Sequence, residues 1–379
     1  MHNFTAYNPT ILHFGKNVTD NLGKAVTKYG TKAILLSGKG SVKRNGYYDR
    51  ITEQLNKAGV SFVEFDGIKP NPLAKDADTA SKLATDFGAQ VVVAIGGGSV
   101  IDTAKIVTLC IANQVQAWDV MKGKARPTSA LPLVAVLTLA ATGTEMNAAA
   151  VLQNHETSEK LGYVHPLIYP KESFLDPLFT LSVPKNYTAY GVADLVAHTL
   201  ENYFGSGDAP LTDEISYAII REAVTTGPAL LADLQNYELR ERIMWAATLA
   251  LNGTTSAGKN GGDWGVHGMG HEMSLLFDTP HGASLTIGYI AWLKLQAERI
   301  PERIASLGKN VFGTTTAAET IAAFGQFFQT LQCPTSLDDL EFTAEQKQEY
   351  LAQLQRNKVS GMVQQLSTED LSTLVSLMN

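Results

Sequence analysis

A strand-like run, Gln90-Val-Val-Val-Ala-Ile95, ends in three consecutive glycines, Gly96, Gly97 and Gly98, and a helical stretch opens behind them at Ser99. Few folds need a strand, a bare glycine turn and a helix in that order. The same alternation surrounds it. Ala33 to Leu36 is an apolar run ending in Ser37-Gly-Lys-Gly40, and Tyr47 to Lys57 has helical spacing that stops before Gly59. Val60 to Phe65 alternates like a strand, Ala77 to Phe87 is helical up to Gly88, and Leu133 to Leu137 is a further apolar strand. Strands that alternate with helices imply a parallel sheet with helices on its faces. From Pro184 onward long amphipathic stretches take over: Tyr190 to Phe204, Leu211 to Thr225, Leu239 to Leu251, Ile300 to Phe312, Thr316 to Leu331 and Ala344 to Leu354. The sequence therefore predicts an α/β Rossmann-like nucleotide-binding domain over 1–184 and an all-helical domain over 185–379. The boundary is set at Leu181-Ser-Val-Pro184, where the proline ends one segment and a helix pattern starts.

The glycine turn points to a phosphate. Without side chains the backbone can approach an anion closely, and the helix behind it offers free N–H groups and a partial positive charge. Ser99 is expected to cap that helix, with Asp102 three residues on in a capping-box-like arrangement. The pattern is not G-x-G-x-x-G, so its weight comes from the strand–loop–helix context. A second small-residue loop, Ser37-Gly38-Lys39-Gly40-Ser41, follows the earlier strand. An acidic residue there would bind ribose hydroxyls and repel a 2′-phosphate. The loop has none, and Lys39, Ser41, Lys43 and Arg44 favour the phosphate, so NADPH is expected over NADH. A third segment, Val136 to Asn147, crowds Thr138, Thr142 and Thr144 behind a strand, where small hydroxyls suit a pyrophosphate or a nicotinamide ribose. Lys160 lies beyond it in a polar stretch.

Histidine placement is the strongest chemical signal. Three of the eight histidines fall in one stretch, His267-x3-His271 followed by Pro280-His281-Gly282. Upstream, Asp194 and His198 are four apart in an apolar stretch, Val192 to Ala197. Residues four apart share a helix face, and a carboxylate in apolar surroundings is costly without a cation. One carboxylate with two or three imidazoles suits Fe2+ or Zn2+. The spacing alone leaves open which of His267 and His271 is the ligand. An imidazole close to the metal but not bound to it would suit proton relay.

Composition narrows the partners. With 30 basic and 37 acidic residues the net charge is −7, which gives no general attraction to nucleic acid or to an anionic membrane. Apolar runs such as Leu131 to Ala141 are interrupted by Pro132 and Thr138 and are too short to span a bilayer. Met1 to Phe14 carries no signal-peptide pattern, and two cysteines, Cys110 and Cys333, make no disulfide framework. A cytoplasmic protein acting on a small molecule is expected.

Taken together, these motifs resemble those of the group III, iron-containing alcohol dehydrogenases, and within them the NADPH-dependent aldehyde reductases and butanol dehydrogenases. The likeness spans nearly the whole chain. Gly96 to Lys105 (GGGS-x2-D-x2-K) looks like that family's cofactor pyrophosphate loop, Thr138 to Asn147 like its T-x3-T-G-[ST]-E segment, and Asp194 with His198 like its first metal pair. The run His267-x3-His271-x9-His281-Gly282 matches its signature. The resemblance implies Asp194, His198, His267 and His281 as ligands of one divalent metal, Fe2+ or Zn2+, and His271 as the unbound catalytic imidazole. It implies a NADP(H) site built from Gly38, Lys39, Gly40, Ser41, Gly96, Gly97, Gly98, Ser99, Asp102, Thr138, Thr142, Asn147 and Lys160. NAD-dependent members of the family carry Asp at the position of Lys39 and close NADPH-dependent ones Gly, so Lys39 is a departure. The fold implied is the dehydroquinate synthase-like architecture, a nucleotide-binding α/β domain and a helical domain with the active site in the cleft between them. The implied reaction is hydride transfer between the nicotinamide and a short- to medium-chain aldehyde or primary alcohol. A homodimer follows from the likeness, with N-terminal strands over Phe4 to Phe14 as the pairing element. Glycerol or diol dehydrogenases of the same superfamily are an alternative. A dehydroquinate-synthase-like lyase is another, opposed by Lys259 being the only Lys or Arg between Gly253 and Ile287. The apolar residues Leu195, Val196, Trp264, Met269 and Leu276 near the metal motifs are expected to favour unbranched aldehydes.

Overall fold

The computed structural model describes residues 1–379 and divides the chain into two compact units. The sheet unit comprises 7–183 and 235–244, and the helical unit comprises 1–6, 184–234 and 245–379. No helix is long and apolar enough to cross a membrane.

The sheet unit carries every strand of the protein. β1 (Ile11–Phe14), β2 (Lys32–Gly38), β3 (Ser61–Ile68), β4 (Val91–Gly96), β5 (Leu133–Leu137) and β8 (Glu172–Leu175) form one six-stranded sheet in the order β1-β8-β5-β4-β2-β3. All its pairings are parallel. The central strands are apolar without alternation because both faces are covered. Ile34, Leu36, Val92, Ala94, Leu133 and Ala135 pack in one cluster, and Ala33, Leu35, Val91, Val93, Ile95 and Val134 pack in the opposite one. Burial on two faces removes the selection for polar residues at alternate positions. β3, at the sheet edge, keeps the alternation that Val60 to Phe65 displays.

Two strand pairs escape the sequence pattern. Of the N-terminal stretch Phe4 to Phe14 expected as strand, only Ile11–Phe14 is one; β1 and β8 are each four residues long, and each is held by a neighbouring strand more than 150 positions away or by β5. β6 (Ala149–Asn154) and β7 (Glu159–Val164) form an antiparallel hairpin, so Lys160 sits on a strand rather than in an open polar stretch.

The helical unit contains no strand. Its helices include Lys185–Tyr203, Pro210–Ala232, Gly265–Phe277, His281–Gln296, Pro301–Val311, Ala317–Thr330, Ala344–Arg356 and Thr368–Leu377. The helix Tyr237–Ala250 starts among the residues assigned to the sheet unit. Lys185–Tyr203 is buried from Gly191 through Tyr203 without a break, and His281–Gln296 is almost as completely enclosed. A helix surrounded by protein needs no polar face, which puts ionisable side chains on it at a premium.

Candidate metal centre and cofactor loops

Three helices of the helical unit bring the predicted ligands together. On the buried helix Lys185–Tyr203, Asp194, His198 and Glu201 fall at i, i+4 and i+7 and so project from one face. Helix Gly265–Phe277 follows Trp264, which adopts a left-handed backbone (φ 63°), and presents His267 and, one turn on, His271. Helix His281–Gln296 begins at His281 itself. Gly282 is what allows its first turn to abut the neighbouring helix. A Cβ there would stand 2.4 Å from the Tyr190 carbonyl oxygen and 2.6 Å from the Tyr190 Cβ. Tyr190 lies one turn before Asp194, so the close approach carries His281 to the carboxylate.

Asp194 Oδ1 is the focus of the cluster. It lies 3.3 Å from His198 Nδ1, 3.7 Å from His267 Nε2 and 3.8 Å from His281 Nε2. Ligand atoms of Asp194, His267 and His281 all fall within 4.8 Å of one another. His198 completes the ring of imidazoles, its centre 4.5 Å from that of His267. Asp194, His198 and His267 are buried, while the His281 side chain keeps 26% of its exposure. The Asp194 Oδ1, His198 Nδ1 and His267 Nε2 atoms make no hydrogen bond. Buried polar atoms are almost always satisfied, and one carboxylate oxygen faced by imidazole nitrogens is the donor set of a Fe2+ or Zn2+ site. The residues fit such a metal.

Electrostatics follow the geometry. Burial alone would raise the Asp194 carboxyl, but the facing imidazoles of His198, His267 and His281 reverse this and hold it well below the ordinary carboxylate range. Burial pushes His198 down to about 4. Burial also opposes charge on His267, yet Asp194 and Glu201 together lift it to about 9. His271 is outside the three-donor group and partly exposed, with its ring centre 5.6 Å from that of His281.

Glu201 was not among the residues singled out from sequence, although its position seven after Asp194 and three after His198, in an apolar stretch, was a signal. Its carboxylate accepts from the backbone N–H of His267 (2.9 Å) and of Trp264 (2.5 Å) and lies 2.8 Å from His267 Nδ1. Of the apolar residues expected near the site, Leu195, Val196 and Met269 are fully buried, whereas Trp264 and Leu276 keep surface. The Trp264 ring packs edge-on at 5.4 Å from His267 and 6.3 Å from His198.

The sheet unit gathers the other predicted residues. β4 ends at Gly96, and helix Gly98–Asn113 starts two residues later. A Cβ at Gly96 or Gly98 would stand 2.5 Å from Val100 or 2.7 Å from Thr142 and force those side chains to shift, and one at Gly97 would be tight against Leu139 at 3.1 Å, so the turn packs closely as bare backbone. The helix is capped by Gly97 with no side-chain bond, which corrects the expected Ser99 capping box. Ser99 is already helical, and its carbonyl accepts from Thr103. Asp102 does other work: its two oxygens accept from Thr144 Oγ1 (2.5 Å) and Val151 N–H (2.9 Å). Lys105 is wholly buried and reaches Thr144 Oγ1, the Asn147 carbonyl and amide oxygens, and the Ala149 carbonyl at 2.7–2.9 Å. Burial brings this lysine down to about 8, against the pull of Asp102 and Glu145. Asp102 and Lys105 thus peg the threonine segment to the helix behind the glycine turn. Asn147 also donates to the Gly143 carbonyl, and Thr138 N–H bonds the Gly96 carbonyl. Lys160 is buried and donates to Asn71 Oδ1 at 2.8 Å. In the second loop Gly40 takes a left-handed conformation (φ 73°), and Arg44 Nη1 folds to 3.0 Å from where a Gly40 Cβ would be. Lys43 pairs with Glu64 and Asp66, both at 3.0 Å.

Comparison with known proteins decides the family. The model of the iron-containing alcohol dehydrogenases matches residues 9–177, and that of the C-terminal region of the same family matches 188–376. The chain belongs to the iron-containing alcohol dehydrogenase family. It is 38% identical to a probable NADH-dependent butanol dehydrogenase of Bacillus subtilis, over 99% of each chain. It is 31% identical to an NADPH-dependent aldehyde reductase of Escherichia coli, over 99% of this chain and 98% of the relative. The crystal structure of an NADH-dependent butanol dehydrogenase from Thermotoga maritima superposes with a TM-score of 0.96 at 34% identity, covering 100% of this chain and 99% of that one. The chain is therefore an alcohol dehydrogenase/aldehyde reductase, an enzyme that uses a nicotinamide cofactor and a divalent metal. Relatives of both cofactor preferences occur, so the family leaves open the expected choice of NADPH.

Proposed function

We propose that this dehydrogenase reduces short- to medium-chain unbranched aldehydes to primary alcohols with NADPH, at one Fe2+ or Zn2+ held by Asp194, His198, His267 and His281. One observation carries the metal assignment: a buried carboxylate is ringed by three imidazoles, and Asp194 Oδ1, His198 Nδ1 and His267 Nε2 are left without a hydrogen bond. When bound, the metal supplies Lewis-acid polarisation of a carbonyl and the nicotinamide supplies the hydride. Asp194 contributes the one anionic ligand, and the three neutral imidazoles leave the site a net positive charge at which a developing alkoxide is favoured. We assign His271 the proton delivery to the product oxygen, since it is the remaining imidazole beside His281 and has access to solvent.

On the cofactor side, the bare turn Gly96-Gly97-Gly98-Ser99 takes the pyrophosphate at a helix N-terminus. Thr138 and Thr142 line the nicotinamide end, while Asp102 and Asn147 hold that segment in shape and Lys160 adds positive charge. Gly38, Lys39, Gly40 and Ser41 take the adenosine end. Exposed Lys39 and Ser41, with the Arg44 guanidinium folded over Gly40, support binding of a 2′-phosphate. A second reading, NADH, is favoured by Lys43 being committed to Glu64 and Asp66 and by the cofactor named for the Bacillus subtilis relative. The lyase reading loses its one candidate cation, because Lys259 is buried against Asp213 and two backbone carbonyls. We further propose a cytoplasmic homodimer joined along β1, an edge strand on which Ile11 is 50% and Phe14 37% exposed.

Elemental analysis and turnover of His281→Ala test the metal assignment. The expected outcome is a folded protein with neither metal nor aldehyde reduction. An undiminished rate in a demonstrably metal-free variant would refute it.

A further inference from the structure

We infer that Glu201 is the positioning residue of the metal centre, locking His267 with Nε2 toward Asp194 and thereby setting the affinity for the ion; the inference rests on the metal reading above. Glu201 is 1% exposed and lies on the same helix face as Asp194 and His198. An anion buried so completely needs compensation, and here it comes from three N–H groups of one neighbouring helix start. Oε2 accepts from Trp264 N–H, and Oε1 accepts from His267 N–H and from His267 Nδ1–H.

Two consequences follow from those three bonds. First, a carboxylate cannot donate, so the His267 ring in its neutral, metal-binding form must carry its proton on Nδ1 and its lone pair on Nε2. Nε2 is the atom that faces Asp194 Oδ1 at 3.7 Å without a hydrogen bond of its own. The ring cannot flip without giving up the Glu201 bond. Second, the same oxygen binds both the backbone and the ring of His267, which fixes the side chain to the helix N-terminus rather than merely near it. Trp264, left-handed at φ 63° and ψ 8°, is the residue that turns the chain so that its own N–H and that of His267 reach one carboxylate. Non-glycine residues hold such a conformation only when surrounding bonds enforce it.

The alternative is that Glu201 only caps the helix start. Glu201→Gln separates the two roles. It keeps the length, removes the charge and leaves one carbonyl oxygen for three N–H donors. Co2+ affinity of the metal-free enzyme is measured by competition with a chelator, together with the visible absorption of bound Co2+ and the metal-free Tm. Weakening of 10- to 100-fold, the usual effect of removing such an outer partner, with an altered Co2+ spectrum is the expected result. Equal affinity and an identical spectrum in Glu201→Gln would overturn the inference while leaving the metal reading intact. Weaker binding with an unchanged spectrum and a depressed metal-free Tm would overturn it in favour of the capping role. A wild-type enzyme that binds no Co2+ would remove the metal reading and this inference together. Should Glu201→Gln not fold, Glu201→Asp, which keeps the charge but withdraws it by one methylene, is read by the same criteria.

Discussion

Adding one methyl group at Gly282 tests whether the centre is built by close helix packing. The ideal Cβ would lie 2.4 Å from the Tyr190 carbonyl oxygen, 2.6 Å from its Cβ and 2.7 Å from its Cα. Two of these atoms are backbone and cannot rotate away. Ordinary contact begins at 3.4 Å, so in Gly282→Ala the first turn of helix His281–Gln296 must withdraw from Tyr190 by about 1 Å, whereas metal–ligand distances tolerate only about 0.2 Å. His281 moves with that turn, and Asp194 stays with Tyr190 one turn along the other helix. A displacement of that size at a reacting centre costs on the order of 100-fold, so metal affinity should fall by about that factor, roughly 2.7 kcal/mol. The metal-free fold should lose about 1–3 kcal/mol from overpacking. Chelator competition with Zn2+ reads the first quantity and urea denaturation of the metal-free protein the second. A Gly282→Ala enzyme that binds Zn2+ within about threefold of wild type would refute the reasoning, since the helices would then have to give without moving the ligand.

Two further perturbations probe the sheet unit. Lys105→Met removes the ammonium shared by Thr144, Asn147 and Ala149 and leaves Asp102 without its cation, so urea denaturation should register a loss of about 3–5 kcal/mol; a loss below about 0.5 kcal/mol would mean the network is not a peg. Glu172 is buried between Lys28, His13 and Tyr29, and although burial raises its carboxyl, those partners bring it below the ordinary 4.5. A depressed folded-state value stabilises above the unfolded value and is lost as pH falls through the carboxylate range. The Tm difference between wild type and Glu172→Gln should therefore be widest near neutrality and narrow on acidification, and a difference that stays constant would contradict the assignment.

The parts of the fold that could be read from sequence are those in which burial leaves a period. Tyr47–Lys57 and Leu133–Leu137 coincide with the expected elements because one has a single wet face and the other is a short apolar run between turn signals. Ala77 to Phe87 was extended by one turn to Ala74, where the alanines are buried against the sheet. β1 and β8 left no such trace. Four residues are too few to display a period, and their pairing is decided by contacts far apart in sequence. Helix His281–Gln296 was not read as a helix because protein encloses it from Gly282 to Leu293, which leaves no polar face along that length. The metal residues were legible because ionisable side chains in apolar surroundings stand out. Glu201 was passed over, since a lone Glu in a helix usually faces water; its spacing from Asp194 and His198 was the one signal, and the partners on a second helix give it meaning. The Ser99 capping box failed because the helix begins two residues earlier than that cap requires, at Gly98, with Gly97 of the glycine turn as its cap.

The central claim is a metal-dependent, nicotinamide-linked aldehyde reductase, and its most direct test is the oxidation of NADPH and, in parallel, NADH by butanal, before chelation, after it, and after Fe2+ or Zn2+ is returned. The account predicts activity that disappears on chelation, returns with metal and is faster with NADPH. Faster turnover with NADH would correct the cofactor assignment alone. No oxidation of either cofactor by any aldehyde, from folded and metal-loaded enzyme, would contradict the account itself.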